Sequence, residues 1–186
     1  MGRRDHVAAG QTDADSNRPG FVRAAAEFRA NTSEPEDELK SAIVLSFLRY
    51  SEWPHPASAD APLTVEVLGR PSLARLLRRA LDGKVVNGRL VRVLEGNSAA
   101  EAHDCQVLYV AGDKSSEIKR ALAEARSTRA LTIGESDRFL DYGGAVNLLS
   151  IDGHMSFEVN LQALGGTGIE ISSKLLRYGQ IRGRRP

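Results

Sequence analysis

The chain has 186 residues, with 25 Lys plus Arg against 24 Asp plus Glu and a net charge of +1, which fits one domain, or one domain with a tail. So even a balance disfavours a dedicated nucleic-acid binder and a polybasic membrane-surface protein, because both need a cationic excess on one face. No apolar run approaches the roughly 18–20 residues that span a bilayer, and the single cysteine, Cys105, excludes an internal disulfide and a cysteine-rich zinc site.

Residues 1–33 carry few large apolar side chains. Arg3, Arg4, Arg18, Arg23 and Arg29 are nearly balanced by Asp5, Asp13, Asp15 and Glu27, with Glu34 adjoining. Too little apolar surface is present to offset chain entropy. The segment is therefore read as disordered or weakly structured: disordered over 1–20, with a weak helix over 21–30 through Phe21, Ala25 and Phe28. An export signal would need an apolar core after Arg3 and Arg4, but Val7-Ala8-Ala9 gives way to Gln11-Thr12-Asp13. As written, the chain carries no such signal.

Ser33-Glu34-Pro35-Glu36 reads as a capping box that opens a helix. Leu39, Ala42, Ile43, Phe47 and Tyr50 then recur at helical spacing, which predicts an amphipathic helix of about 15 residues. Trp53-Pro54-His55-Pro56 stops it. Leu63–Gly69 is a β-rich run. Pro71 opens a helix with Leu73, Leu76, Leu77, Ala80 and Leu81 on one stripe. Val85-Val86 and Leu90–Leu94 flank the turn signal Asn87-Gly88.

Cys105–Val110 is almost continuously apolar, as in a strand buried on both faces. A helix follows through Ile118, Leu122 and Ala125, then a strand at Ala130–Ile133 and a short helix over 136–141. Val146–Ile151 and Met155–Val159 are joined by Asp152-Gly153, a hairpin signal. A glycine-rich turn (Gly165, Gly166, Gly168) leads to a helix over 172–178. The expected fold is α/β: a mixed, mainly parallel sheet with helices on both faces and a C-terminal antiparallel hairpin. The expected organisation is the segment 1–33, one domain over 34–180, and a basic tail over 181–186 with Arg182, Arg184 and Arg185.

Reactive constellations are scarce. His6, His55, His103 and His154 show no ligand spacing and read as surface histidines, so no metal site is expected. Cys105 reads as a small core residue, and its neighbour His103 in sequence is no sign of a catalytic pair. Gly112-Asp113-Lys114-Ser115 lies between a strand and a helix, but a phosphate loop needs a longer glycine-bounded turn. An Asp or Ser helix cap is the plainer reading, and a nucleotide held there the competing one. Gly165-Gly166-Thr167-Gly168 reads as a connection. Asp137, Asp141 and Asp152 sit where turns are expected. No catalytic residue is assigned. Glu158 and Asn160 alternate with Phe157 and Val159 along one strand. With Glu170 and Ser172 they are candidates for a ligand-binding pocket, a solvated sheet face being the alternative.

Several segments in order resemble the YfiR-like family of bacterial periplasmic regulators. Phe47–Pro54 is similar to its opening block, Val65–Gly69 to its first strand and glycine, and Cys105–Val110 to its Cys-containing central strand. Gly143–Asn147 with Met155–Leu161 resembles its double glycine and Phe-Glu-(Ile/Val)-Asn hairpin, and Ile171–Leu176 its closing helix. The resemblance covers 36–178. It implies a compact α/β fold, periplasmic localisation, a homodimer, no cofactor and no turnover. It further implies binding to the periplasmic domain of an inner-membrane diguanylate cyclase, whose repression lowers cyclic di-GMP and biofilm formation. Neither nucleic acid nor membrane insertion is implied. Some relatives have a second cysteine in the first strand; here Glu66 occupies or adjoins that place, which removes redox control through a disulfide. Phe47, Tyr50 and Trp53 are candidates for partner contact, with core packing the alternative. The competing function is a small-ligand-binding module that reports to a sensor kinase or transporter.

Overall fold

The computed structural model describes residues 19–54, 61–96, 105–151 and 154–182, and for 19–34 the helical backbone alone. The chain divides into two units, 1–35 and 36–186. Helix α1 (Pro19–Tyr50) has 32 residues with Pro35 inside it. The start read at Ser33 therefore lies within a longer helix. Proline accepts the helical φ and forfeits one N–H, so Ser33–Glu36 can resemble a helix start without being one.

The remaining elements belong to the second unit. They are β1 (Ser51–Glu52), β2 (Leu63–Leu68), α2 (Pro71–Leu81), β3 (Val85–Val86), β4 (Arg89–Gly96) and β5 (Val107–Val110). There follow α3 (Ser115–Thr128), β6 (Leu131–Gly134), β7 (Val146–Ile151), β8 (His154–Asn160), a 3-10 turn at Leu161–Leu164, β9 (Glu170–Ile171), α4 (Ser173–Leu176) and β10 (Gln180–Arg182).

Among the described residues the main sheet has eight strands in the order β10-β8-β7-β6-β5-β2-β4-β3. The pairs β4/β2, β2/β5, β5/β6, β6/β7 and β8/β10 are parallel. The pairs β7/β8 and β3/β4 are antiparallel. A second small sheet joins β1 to β9. The mixed, mainly parallel α/β architecture and its C-terminal hairpin are as the sequence predicts. Asp152-Gly153, read as the hairpin turn, lies outside the described residues, as do His6, His55, His103, Arg184 and Arg185.

Alternation along the strands divides the core into two layers. Val65, Val67, Val107, Tyr109, Leu131 and Ile133 pack on α1 and α2. Leu68, Leu108 and Val110 pack on α3 through Ile118, Ala121, Leu122 and Ala125. Cys105 is buried in that second layer. Phe47 is fully buried and meets Phe157 edge-on with ring centroids 5.1 Å apart. At the β3–β4 turn, Asn87 (φ 50) and Gly88 (φ 79) both take the positive φ that a two-residue hairpin requires.

Several local readings differ. Residues 137–143 form consecutive turns where a short helix is expected. The closing helix is one turn long and starts from Ser172, whose Oγ accepts from the Lys174 N–H. Ile181 and Arg182, read as the start of a basic tail, belong to strand β10, and Arg182 pairs with Asp141 at 3.0 Å.

The buried stripe of α1 also differs from the apolar one read in the sequence. Asp37, Lys40, Ser41, Val44, Phe47 and Leu48 are buried, whereas Leu39 and Tyr50 are each 46 % exposed. Polar residues occupy positions 37–41 of this inward face because they meet charged partners at the strand ends.

Candidate functional site

Strand β2 is the pivot of the sheet. From it the chain leaves through α2 to β4 on one side, while β5 pairs on the other side and leaves through α3 on the opposite face. The two connections diverge, so a crevice opens beyond the carboxyl ends of β2 and β5, where ligands bind in open α/β sheets. Here it is a cleft of about 440 Å3. Gly69 and Arg70 line it from β2, Ala111 to Asp113 from β5, Glu135 from β6, and Glu36 and Lys40 from α1.

Gly69 lets β2 turn away at this point. Its φ is +85, and a Cβ there would strike the Ala111 carbonyl oxygen. Arg70 follows at the N-cap of α2 but makes no side-chain cap. Its Nη2 instead donates to Asp37 Oδ1 at 2.7 Å, and its Nη1 lies 3.3 Å from Glu135 Oε1. The Arg70 Nε is buried with no hydrogen-bond partner.

Lys40 reaches the same carboxylate from α1. Its Nζ is 2.8 Å from Glu135 Oε2, 2.7 Å from Glu36 Oε1 and 3.7 Å from Asp37 Oδ1. Burial draws the Lys40 pKa down, but the bonds to Glu135 and Glu36 outweigh it, so the net shift is upward. The Tyr109 hydroxyl donates to Glu135 Oε2 at 3.1 Å. Burial, reinforced by the Glu135 charge, raises the Tyr109 pKa well above its ordinary value.

Two cations and three carboxylates thus nearly cancel. Glu135 is bonded to Lys40 and Tyr109 through Oε2 and ion-paired with Arg70 through Oε1, so both of its oxygens are engaged within the protein. The arrangement suits polar recognition and rigid attachment of α1 to the sheet more than acid–base chemistry. Lys114, not Asp113 or Ser115, is the N-cap of α3, and lysine has no acceptor with which to cap. The uncapped end and the crevice beside it meet what a nucleotide at Gly112–Ser115 would need. Glu36, Asp113 and Glu135 around that crevice oppose a phosphate.

The residues singled out in the sequence lie elsewhere. Glu158 and Asn160 sit on β8, half-buried, opposite Asn147 and Ala145 on the β7 side. Asn160 Oδ1 accepts from the Gln162 N–H at 3.1 Å and so caps the 3-10 turn. Glu170 and Ser172 line a different cleft, of about 670 Å3, together with Arg49, Tyr50 and Glu52. The four candidate ligand residues therefore do not share one described cavity. Glu170 pairs with Glu52 in the small sheet, and the Ser172 N–H donates to the Tyr50 carbonyl. Of the candidate partner residues, Phe47 is core, Trp53 is part-buried with its Nε1 donating to the Gln106 carbonyl at 3.1 Å, and Tyr50 is exposed. Among the described residues no group of three His, Cys, Asp or Glu is placed to hold a metal ion, and no helix is long and apolar enough to cross a membrane.

A family model described as YfiR/HmsC-like matches residues 37–180. The chain belongs to the YfiR/HmsC-like family. The family is one of periplasmic regulators and is not known for enzymes. The matched span covers the switch-point cleft except Glu36, and the whole of the Tyr50–Ser172 cleft. No curated protein matches the chain. Among solved structures, this YfiR/HmsC-like chain is similar to a conserved domain protein from Vibrio cholerae O1 biovar El Tor, at 15 % identity and TM-score 0.48, over 64 % of this chain and 54 % of that one. It is also similar to an ABC domain in complex with L-Trp from Streptococcus pneumonia, at 14 % identity and TM-score 0.44, over 63 % and 54 %. The chain spans about half the length of these two proteins.

Proposed function

We propose that this chain is a periplasmic regulator without turnover of its own, which binds the periplasmic domain of an inner-membrane diguanylate cyclase as a homodimer and restrains it. Less cyclic di-GMP is then made, and biofilm formation falls. The observation that carries this reading is the family match over 37–180. The chemistry of the switch-point cleft agrees with it, because Glu36, Lys40, Arg70 and Glu135 are engaged with one another. Exposed Tyr50, beside Glu170 and Ser172, is the group best suited to touch a partner. Deleting the gene while the cyclase stays intact should raise cyclic di-GMP and matrix production. Unchanged levels overturn the reading.

The switch-point cleft favours a second reading, a small-ligand-binding module that reports to a sensor kinase or transporter. Native mass spectrometry after gentle purification should then show a co-purified small molecule. Its repeated absence, with no change of melting temperature across a metabolite screen, removes that reading.

A further inference from the structure

We infer that the cleft between the end of α3 and the glycine-rich turn after β8 is a binding site for a small molecule bearing a doubly charged oxyanion, a phosphate or a dicarboxylate. The site is separate from the switch-point cleft and stands whether or not the chain restrains a cyclase. Its volume is about 610 Å3, within the usual range for small-molecule pockets. Arg126 and Arg129 line it, with Thr132, Asn160, Gln162 and Thr167, and no Asp or Glu among the described residues joins them. Neither guanidinium has an ion-pair partner among the described residues.

Thr132, Asn160 and Thr167 have each spent a side-chain acceptor on the backbone. Thr132 Oγ1 accepts from the Ala145 N–H at 2.9 Å, and Asn160 Oδ1 accepts from the Gln162 N–H at 3.1 Å. The Asn160 amide N–H groups and the two guanidinium forks remain as donors. A cleft that offers two guanidinium groups and an amide donor, with no carboxylate in its described lining, selects an anion.

Arg126 Nη2 lies 2.9 Å from where a Cβ on Gly143 would stand, so this glycine (φ +95) leaves the space the guanidinium fills. Arg129 ends α3 in the left-handed conformation, at φ 56 and ψ 33. Glycine would adopt that conformation without strain. Arg126 lies in the last turn, where a cation also answers the helix dipole. That role does not require Arg129, which stands beyond the helix end.

The test uses the full chain, with inorganic phosphate and succinate as probes against chloride at matched ionic strength. Arg129→Gly relieves the backbone strain, so its melting temperature without anion should equal or exceed that of the parent. Phosphate or succinate should raise the melting temperature of the parent and bind measurably by calorimetry. Arg129→Gly and Arg126→Gln should each weaken that binding by about tenfold or more. A response to phosphate alone assigns a phosphate compound, and one to succinate alone a dicarboxylate. No response to either overturns the inference. So does full binding by both variants, or a stability loss in Arg126→Gln with no anion dependence, which would leave the arginines as helix caps only.

Discussion

Lys40 Nζ meets Glu135 Oε2 at 2.8 Å, with the lysine side chain 5 % exposed and the glutamate 18 %. One ion pair thereby ties α1 to the carboxyl end of β6. Arg70, from the end of β2, holds the other oxygen of the same carboxylate. Three elements far apart in sequence are pinned at one point.

Lys40→Met should therefore destabilise the fold by about 3 kcal/mol, because it leaves buried carboxylate charge with one cation fewer. Lys40→Met/Glu135→Gln should recover most of that loss, since both members of the pair are then neutral. Urea denaturation of the two variants checks this. A single variant as stable as the parent would show the pair to be dispensable.

Alkaline pH should unfold the protein in a defined way. The folded Lys40 pKa lies above its ordinary value of 10.5, so its contribution is complete below that pH and is lost as pH rises through the folded pKa. Tyr109, held neutral well above its ordinary value of 10.0, acts in the same direction, because the unfolded phenol loses its proton first. Stability should be insensitive to these two groups near neutrality and fall above roughly pH 10. Ultraviolet titration should show one tyrosine ionising together with unfolding, and Tyr109→Phe should abolish that late step.

Phe47 and Tyr50 lie one turn apart and should behave differently. Phe47→Ala removes a fully buried ring and its edge contact with Phe157, and should lower stability by about 3–5 kcal/mol. Tyr50→Ala should change stability by less than about 1 kcal/mol. Under the proposed function it should nonetheless relieve repression in cells. Normal repression by Tyr50→Ala would place the partner contact elsewhere.

Gly69→Ala should be among the most damaging small substitutions. The left-handed φ alone disfavours alanine by about 1–2 kcal/mol, and the new Cβ would press on the Ala111 carbonyl, which belongs to the cleft wall. Thermal melting should show the loss. A variant melting like the parent would mean that the loop between β2 and α2 rearranges freely.

Much of the fold was legible because burial writes itself into apolar letters. Val107–Val110 and Leu131–Gly134 are buried on both faces and were readable as strands. Pro71 and Asn87-Gly88 mark turns by their own backbone preferences. Lys40 was missed because the α1 stripe was traced through apolar residues, yet it completes the helical spacing of Val44, Phe47 and Leu48. Arg70 carried a readable signal too: a residue unable to cap stands directly before a helix-opening proline, which leaves its side chain for another use.

The sequence alone determined the main strands and helices, the β7–β8 hairpin and the family resemblance, since these rest on local periodicity and short motifs. Only the tertiary structure decided which polar residues share a site. It put Asn160 with Arg126 and Arg129, Ser172 with Tyr50, and Glu135 with Lys40 and Arg70. Those groupings depend on strand order, and strand order is set by how distant segments pair across the sheet, a choice that no short stretch of chain records.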